Sequence, residues 1–220
     1  MVRLPPLYAI VDPLDTERDP VALADAMLAG GARLLQLRLK AATSRELLRV
    51  AEVIRERARG RGATFLVNDR PDVARAVDAD GVHLGQDDLP VAAARHILGP
   101  GRLIGLSTHD LAQLRAAEAE GADYVAVGPV YATQSKAAAL APRGLELVQA
   151  ARAASSLPIV AIGGITLDTA PAVRAAGADS VAMIAALVRA PDVEAAVRHT
   201  IARLRARPET HVSGRSQTRA

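Results

Sequence analysis

The sequence predicts a single closed parallel barrel of eight strand-helix units, a TIM (β/α)8 barrel. Three observations lead there. Short apolar runs alternate eight times with amphipathic helical stretches, the pattern of βα repeats around a parallel sheet. The runs are almost continuously apolar, as strands buried on both faces must be. The first of them, LYAIVDPLD, lacks the Gly-rich loop that an open, doubly wound nucleotide-binding sheet would carry after its first strand.

In chain order, the strands are expected to begin near Leu7, Arg33, Thr64, Gly81, Leu103, Tyr124, Pro158 and Ser180, the last reading SVAMIAAL. The helices are expected at Asp19 to Ala29, Ser44 to Arg59, Pro71 to Val77, Pro90 to Leu98, Asp110 to Glu120, Arg143 to Ala154, Asp168 to Ala176 and Asp192 to Arg205. Pro71 and Pro90 suit the first helical turn, and Ser44, Asp110 and Asp168 suit caps. The pairs Gly31-Ala32, Gly121-Ala122 and Gly177-Ala178 close a helix just before the next strand. The barrel is assigned to residues 1–206. Residues 207–220, basic, polar and without apolar periodicity, are expected to form a disordered tail.

Composition narrows the function. Half of the residues are hydrophobic but only 2% are aromatic, so the core is aliphatic. With no cysteine there is no disulfide framework, thiolate nucleophile or Cys-ligated metal. The net charge of +3 and pI near 9.8 do not point to nucleic acid. Much of the excess is in the tail, Glu46, Glu52 and Glu56 interleave with the arginines of residues 45–61, and few aromatics are available to stack on bases. No apolar run approaches a membrane span, and Met1 to Pro6 is too short for a signal peptide, so a cytoplasmic protein is expected. Of 27 basic residues 25 are arginine, and the two lysines, Lys40 and Lys136, both follow strand-like runs.

In such a barrel the strand C-terminal ends and their loops build the active site. Strand one ends in Asp12. Strand two carries Gln36, Arg38 and Lys40 at a spacing of two, which puts them on one face. Cationic groups on a barrel strand are costly unless a ligand or partner meets them, so the run is a candidate anion site. Strand three ends in Asn68-Asp69-Arg70, and strand four is followed by Gln86-Asp87-Asp88. Two such carboxylates without Cys suit Mg²⁺ completed by water and a substrate phosphate; each alone suits helix capping before Pro71 or Pro90 equally well. Ser107 or Thr108 is a cap or a hydroxyl donor to phosphate. His109 is a candidate acid/base group, and His83 is expected to be a hydrogen-bonded core residue. Thr133, Ser135 and Lys136 fall in a long loop after strand six. Gly164, and Ile184 with Ala185, fall where these barrels hold a phosphate on backbone N–H groups.

The segments QLRLK, VNDR, GVHLGQDD, IGLSTH, VGPVYATQSK and AIGGI together resemble the thiamine phosphate synthase family, from about Leu7 to Leu187. The resemblance implies a transferase that joins 4-amino-2-methyl-5-pyrimidinylmethyl diphosphate to 4-methyl-5-(2-phosphoethyl)thiazole and releases diphosphate by a dissociative mechanism. It implies that Gln36, Arg38, Lys40, Asn68, Ser107 and Lys136 hold the pyrimidine diphosphate, with Arg38, Ser107 and Lys136 acting in catalysis. Asp69 and Asp88 would bind Mg²⁺. Thr133, Ser135, Gly164 and the Ile184-Ala185 backbone would hold the thiazole phosphate. The chain departs from the family pattern at Leu39, usually Glu, at Ser135, usually Thr, and at Ala182 and Ala185, often Ser. The alternatives are a thiazole tautomerase of the same barrel family, using His109, and a non-catalytic barrel that binds a phosphorylated ligand. Small-molecule substrates are the expected partners, without nucleic acid or membrane, and a homo-oligomer is left open.

Overall fold

A computed structural model describes residues 2–14, 16–133 and 141–205. Ser135, Lys136 and the 207–220 tail therefore lie outside the described residues. The strands Leu7–Val11 (β1), Leu34–Leu37 (β2), Thr64–Asn68 (β3), Gly81–Leu84 (β4), Leu103–Thr108 (β5), Tyr124–Val127 (β6), Ile159–Ala161 (β7) and Ser180–Met183 (β8) pair in sequence order, and β8 returns to β1. Every pairing is parallel, so the barrel is closed and all strand C-termini open at one end.

Around it lie Pro20–Ala29 (α1), Ser44–Gly60 (α2), Pro71–Ala76 (α3), Val91–Leu98 (α4), Leu111–Ala119 (α5), Gly144–Ala154 (α6), Ala170–Ala175 (α7), Ala185–Val188 (α8) and Val193–Arg205 (α9). Asp19 and Asp110 cap α1 and α5, accepting from the N–H groups of Ala22 and Gln113, each at 2.8 Å. Two expected caps are corrected. Thr43 rather than Ser44 caps α2, and α7 begins after Thr169 rather than at Asp168. Thr166 and Thr169 bond to each other's backbone there, which holds a turn ahead of the helix. The SVAMIAAL run also divides. The strand stops at Met183, and the helix formers Ala185, Ala186 and Leu187 make one helical turn that sequence reading had merged with the strand. The three Gly-Ala pairs end helices as expected, each glycine at positive φ.

Side-chain alternation splits the core in two. Leu35, Leu37, Phe65 and Val67 pack outward beneath the helices, all fully buried. The register places Tyr8, Gln36, Asn68, His83, Gly105, Ser107, Tyr124 and Ala182 on the inner side. Among the described residues no helix is long and apolar enough to cross a membrane.

Candidate functional site

The C-terminal mouth of the barrel has two halves. Over β1 to β4 lies a charged cluster. The Asp12 carboxylate follows β1, accepts from the Leu14 N–H at 3.0 Å and pairs with the Arg38 guanidinium. Lys40 Nζ lies 3.0 Å from Asp69 Oδ2. Gln36 is buried and donates to the Tyr8 hydroxyl at 2.6 Å. Each polar residue of the strand-two run is therefore met from inside the protein, by a residue on an adjacent strand or its end. These groups do not wait unpartnered for a ligand, but two of them keep capacity for one. A guanidinium has five N–H donors, so pairing through one nitrogen does not exhaust Arg38. The Lys40 side chain is 57% exposed, so its ion pair is readily exchanged for a stronger anion. Leu39 packs against the hydrophobic core and adds no carboxylate here.

Capping does not account for Asp69 and Asp88. The N-cap of α3 is Arg70 and that of α4 is Pro90, and neither helix has a side-chain cap bond. Asp69 instead takes a left-handed backbone (φ 62°) at the end of β3, donating its N–H to His83 O at 2.8 Å. Asp tolerates this region better than most residues, and such positions gather at functional sites. Asp88 Oδ2 accepts from the Gly85 N–H at 2.6 Å. Partial burial first, and then the bond to Asp69, hold the Asp88 carboxyl above the ordinary carboxylate range; the Gly85 N–H and the Lys40 charge oppose them. The fold thus presses two carboxylates together although their negative charges repel. A hard divalent cation relieves that repulsion, and the donor set fits Mg²⁺. Among the described residues no group of three or more His, Cys, Asp or Glu side chains forms a complete cage. Two carboxylates leave the remaining positions to water and a substrate phosphate, as Mg²⁺ prefers.

Beneath this cluster runs a buried polar chain. Gln36 Nε2 meets Tyr8, the Tyr8 and Tyr124 hydroxyls bond at 3.1 Å, Tyr124 meets His83 Nδ1 at 2.9 Å, and His83 Nε2 meets Ser107 Oγ at 3.0 Å. Its proton order follows from one end. An amide nitrogen can only donate, so Tyr8 accepts from Gln36. Every link is then satisfied if Tyr8 donates to Tyr124, Tyr124 to His83 Nδ1, and His83 Nε2–H to Ser107. Ser107 keeps its own hydroxyl proton for the cavity it lines. Burial raises both tyrosine pKa values, so the hydroxyls stay protonated. Gly105 makes room for this chain: a Cβ there would lie 2.0 Å from Tyr124 Cζ. His83 is the hydrogen-bonded core residue expected of it. Sequence reading missed Tyr8 and Tyr124; the available signal was that two of three tyrosines sit inside strands, where a buried hydroxyl needs a partner.

Over β5 to β8 lies a cavity of about 380 Å³. Ser107, Thr133, Gly164, Ile184 and Ala185 all line it, as do His109, Ala182 and Arg189. Neither Ser107 nor Thr108 caps a helix, since Asp110 caps α5; Thr108 Oγ1 donates to Ala126 O at 3.2 Å. Nδ1 of His109 donates to Gly128 O at 2.7 Å, so Nε2 is the ring nitrogen left for another partner. Gly164 has a role beyond ligand approach. A Cβ there would fall 2.3 Å from Ala132 O, so the glycine lets the loop after β6 close onto the loop after β7. Tyr131 N donates to Gly163 O at 3.0 Å across the same seam. Asn68 is half-buried at the end of β3, on the charged side. The structure thus gathers the expected residues that it describes at one mouth, sorted into a charged half and a largely neutral half.

A family model described as thiamine monophosphate synthase matches residues 7–187. The thiamine-phosphate synthase of Moorella thermoacetica is 49% identical over 193 residues, covering 87% of this chain and 92% of its own length. That of Methanoculleus marisnigri is 51% identical, with 87% and 92% covered. Among solved structures, the thiamine phosphate pyrophosphorylase from Pyrococcus furiosus superposes with a TM-score of 0.82 at 38% identity, covering 90% of this chain and 95% of that one.

Proposed function

The chain belongs to the thiamine monophosphate synthase family, and from that membership we propose how its residues divide the reaction. It is a transferase that condenses 4-amino-2-methyl-5-pyrimidinylmethyl diphosphate with 4-methyl-5-(2-phosphoethyl)thiazole, giving thiamine phosphate and diphosphate. One observation carries the division of labour. The charged cluster and the neutral cavity share one mouth and meet at Ser107, which lines the cavity and ends the buried chain that starts at Gln36.

The diphosphate belongs on the charged half. Arg38 and Lys40 neutralise its oxygens, joined by Lys136 from the loop after β6; Asn68 and the Ser107 hydroxyl add hydrogen bonds. Asp69 and Asp88 are the side chains that would hold Mg²⁺. When bound, the ion supplies positive charge against the departing diphosphate. The pyrimidine lies over the buried chain, whose amide, hydroxyls and imidazole are fixed before it arrives. The thiazole occupies the cavity, its phosphate toward Thr133, Ser135, Gly164 and the Ile184-Ala185 backbone.

In the reaction the methylene C–O bond breaks and diphosphate takes the electron pair. The amino-pyrimidine shares the resulting positive charge, and the thiazole nitrogen donates its lone pair to form the new C–N bond. No proton transfer or covalent enzyme intermediate is required. What this chain contributes is charge neutralisation and alignment of two substrates, which preorganised sites supply well. The reading carries with it a cytoplasmic location and substrates that are small molecules.

One observation favours a second chemistry. His109 lines the thiazole cavity, and with Nδ1 committed to Gly128 O its Nε2 is the nitrogen left for proton transfer, as a tautomerase would need. The carboxylate pair, which caps nothing, has no use in that reaction. Pure protein with both precursors and Mg²⁺ is expected to yield thiamine phosphate and diphosphate. Isomerised thiazole carboxylate without thiamine phosphate would overturn the synthase reading.

A further inference from the structure

β4 leaves the sheet before its neighbour does. Its last residue, Leu84, lies opposite Leu106, while β5 runs on through Ser107 and Thr108. The carbonyls of Ile104 and Thr108 accept from Asp123 N and Gly128 N on the β6 side, and the Leu103 N–H donates to Asp80 O on the β4 side. Backbone groups alternate direction along a strand, so the Ser107 carbonyl faces β4. In a continued ladder its next donor would be the backbone N–H of Gln86, but the chain has already turned away. Ser107 is buried, and a buried carbonyl without a partner is costly. The side chain of the same glutamine fills the place: Gln86 Nε2 donates to Ser107 O at 2.6 Å.

The same departure brings Asp88 to the charged half. Residues 85–88 make a turn in which Asp88 N donates to Gly85 O at 3.4 Å and Gly85 N donates to Asp88 Oδ2 at 2.6 Å. One short turn therefore grips two parts of the mouth. Its ends hold the Asp88 carboxylate, and its second residue holds the strand end that carries Ser107. Ser107 is fixed at two points, its hydroxyl by His83 Nε2 at 3.0 Å and its carbonyl by Gln86. The first contact governs where the hydroxyl hydrogen points. The second governs where the residue stands relative to Asp88. Gln86 is exposed overall, so packing does not account for it. An amide suits the task and a carboxylate does not, because only the amide nitrogen can donate to a carbonyl.

We propose that Gln86 is a positioning residue of the reaction, its side-chain amide tying the Ser107 strand end to the turn that presents Asp88, so that hydroxyl and carboxylate meet one diphosphate at a fixed spacing. This rests on the assignment of Ser107 and Asp88 to the diphosphate half. Gln86 touches neither substrate; it acts through Ser107. Small displacements of an aligned group are costly to rate, which is why one hydrogen bond at the rim matters.

The test is a double-mutant cycle on kcat/KM for the pyrimidine diphosphate at saturating Mg²⁺. Gln86→Met removes the donor at nearly constant shape and is expected to lower kcat/KM about tenfold. Ser107→Ala should lower it at least as far. The two losses should not multiply: the double variant should lie within about twofold of Ser107→Ala alone, because a tether to a residue without its hydroxyl has nothing left to position. Gln86→Glu, which also lacks the donor, should follow the same pattern and is the second variant where Met disturbs folding. Melting gives a readout besides activity. Mg²⁺ is expected to raise the Tm of Gln86→Met as it does that of the wild type, since Asp88 keeps its bond to the Gly85 N–H. Losses that multiply overturn the proposal, as does a Gln86→Met variant as active as the wild type, or one that alone has lost its response to Mg²⁺. Wild-type protein that makes no thiamine phosphate would sink the synthase reading and this role with it; multiplied losses in an active enzyme sink only the role of Gln86.

Discussion

Gly105→Ala tests the packing on which the buried chain depends. The added Cβ would fall 2.0 Å from Cζ of Tyr124 and 2.4 Å from both Cε atoms, well inside contact distance. The ring has little room to retreat. It stacks on His83 with centroids 5.6 Å apart, meets the edge of Tyr8 at 6.2 Å, and is tied at its hydroxyl to both. Overpacking of this kind costs about 1–3 kcal/mol. Loosening the two buried hydrogen bonds of Tyr124 adds about 1 kcal/mol each, for a total of about 3–5 kcal/mol. In a chain of this length each kcal/mol lowers Tm by about 2–4 °C, so thermal unfolding followed by circular dichroism should show a drop of about 10 °C. Gly60→Ala is the control. Its Cβ meets nothing within 4 Å, and alanine is the better residue at the end of α2, so its Tm should stay level or rise. If Gly105→Ala melts within about 2 °C of the wild type, a shift worth less than about 1 kcal/mol, the steric argument is wrong.

Other consequences are equally open to measurement. Lys40→Arg keeps the charge but offers Asp69 a bidentate partner and the diphosphate a broader head; kcat/KM should fall by about tenfold or more, about 1.4 kcal/mol or more of transition-state stabilisation. Lys136→Arg should behave alike, and full activity in either would mean that the scarcity of lysine is only compositional. Mg²⁺ is expected to raise the Tm of the wild type, and Asp88→Asn to abolish that rise while leaving the metal-free protein at least as stable near neutral pH. The reason is a sign: the folded state binds the Asp88 proton more tightly than the unfolded chain does. The ionised group therefore opposes folding above its raised pKa, and the opposition fades as pH falls through that value. Asparagine can still accept from Gly85 and can donate to Asp69. A less stable variant that still responds to Mg²⁺ would contradict both parts.

The barrel was legible because its signals are local and repeated. Buried strands, helix caps and Gly-Ala stops recur around the chain, and each supports its neighbours. The charged site was half legible. Asp69 and Asp88 stand where a cap or a metal ligand would be spelled alike, and the bare N-termini of α3 and α4 remove only the capping reading. The partners of Arg38 and Lys40 were hidden because Asp12 and Asp69 are brought to them by strand order. α8 was read as strand because a short Ala-, Ile- and Leu-rich run has no period of its own. The pairing of Tyr8 with Tyr124, 116 residues apart, is set by closure of the barrel.

That pairing gives the barrel interior a direction, like a row of dominoes that can lean only one way at a time. An amide on β2 decides which nitrogen of an imidazole on β4 holds a hydrogen, and so where a hydroxyl on β5 points. Replacing the Gln36 amide by a carboxylate would reverse the row: Tyr8 would donate to it, each link would turn over, and Ser107 would give its hydrogen to His83 instead of the cavity. One nitrogen exchanged for oxygen on β2 would thereby withdraw a donor from the reaction mouth three strands away, with no other heavy atom displaced. Gln36, Tyr8, Tyr124, His83 and Ser107 are thus one device written in five places, to be kept or exchanged together.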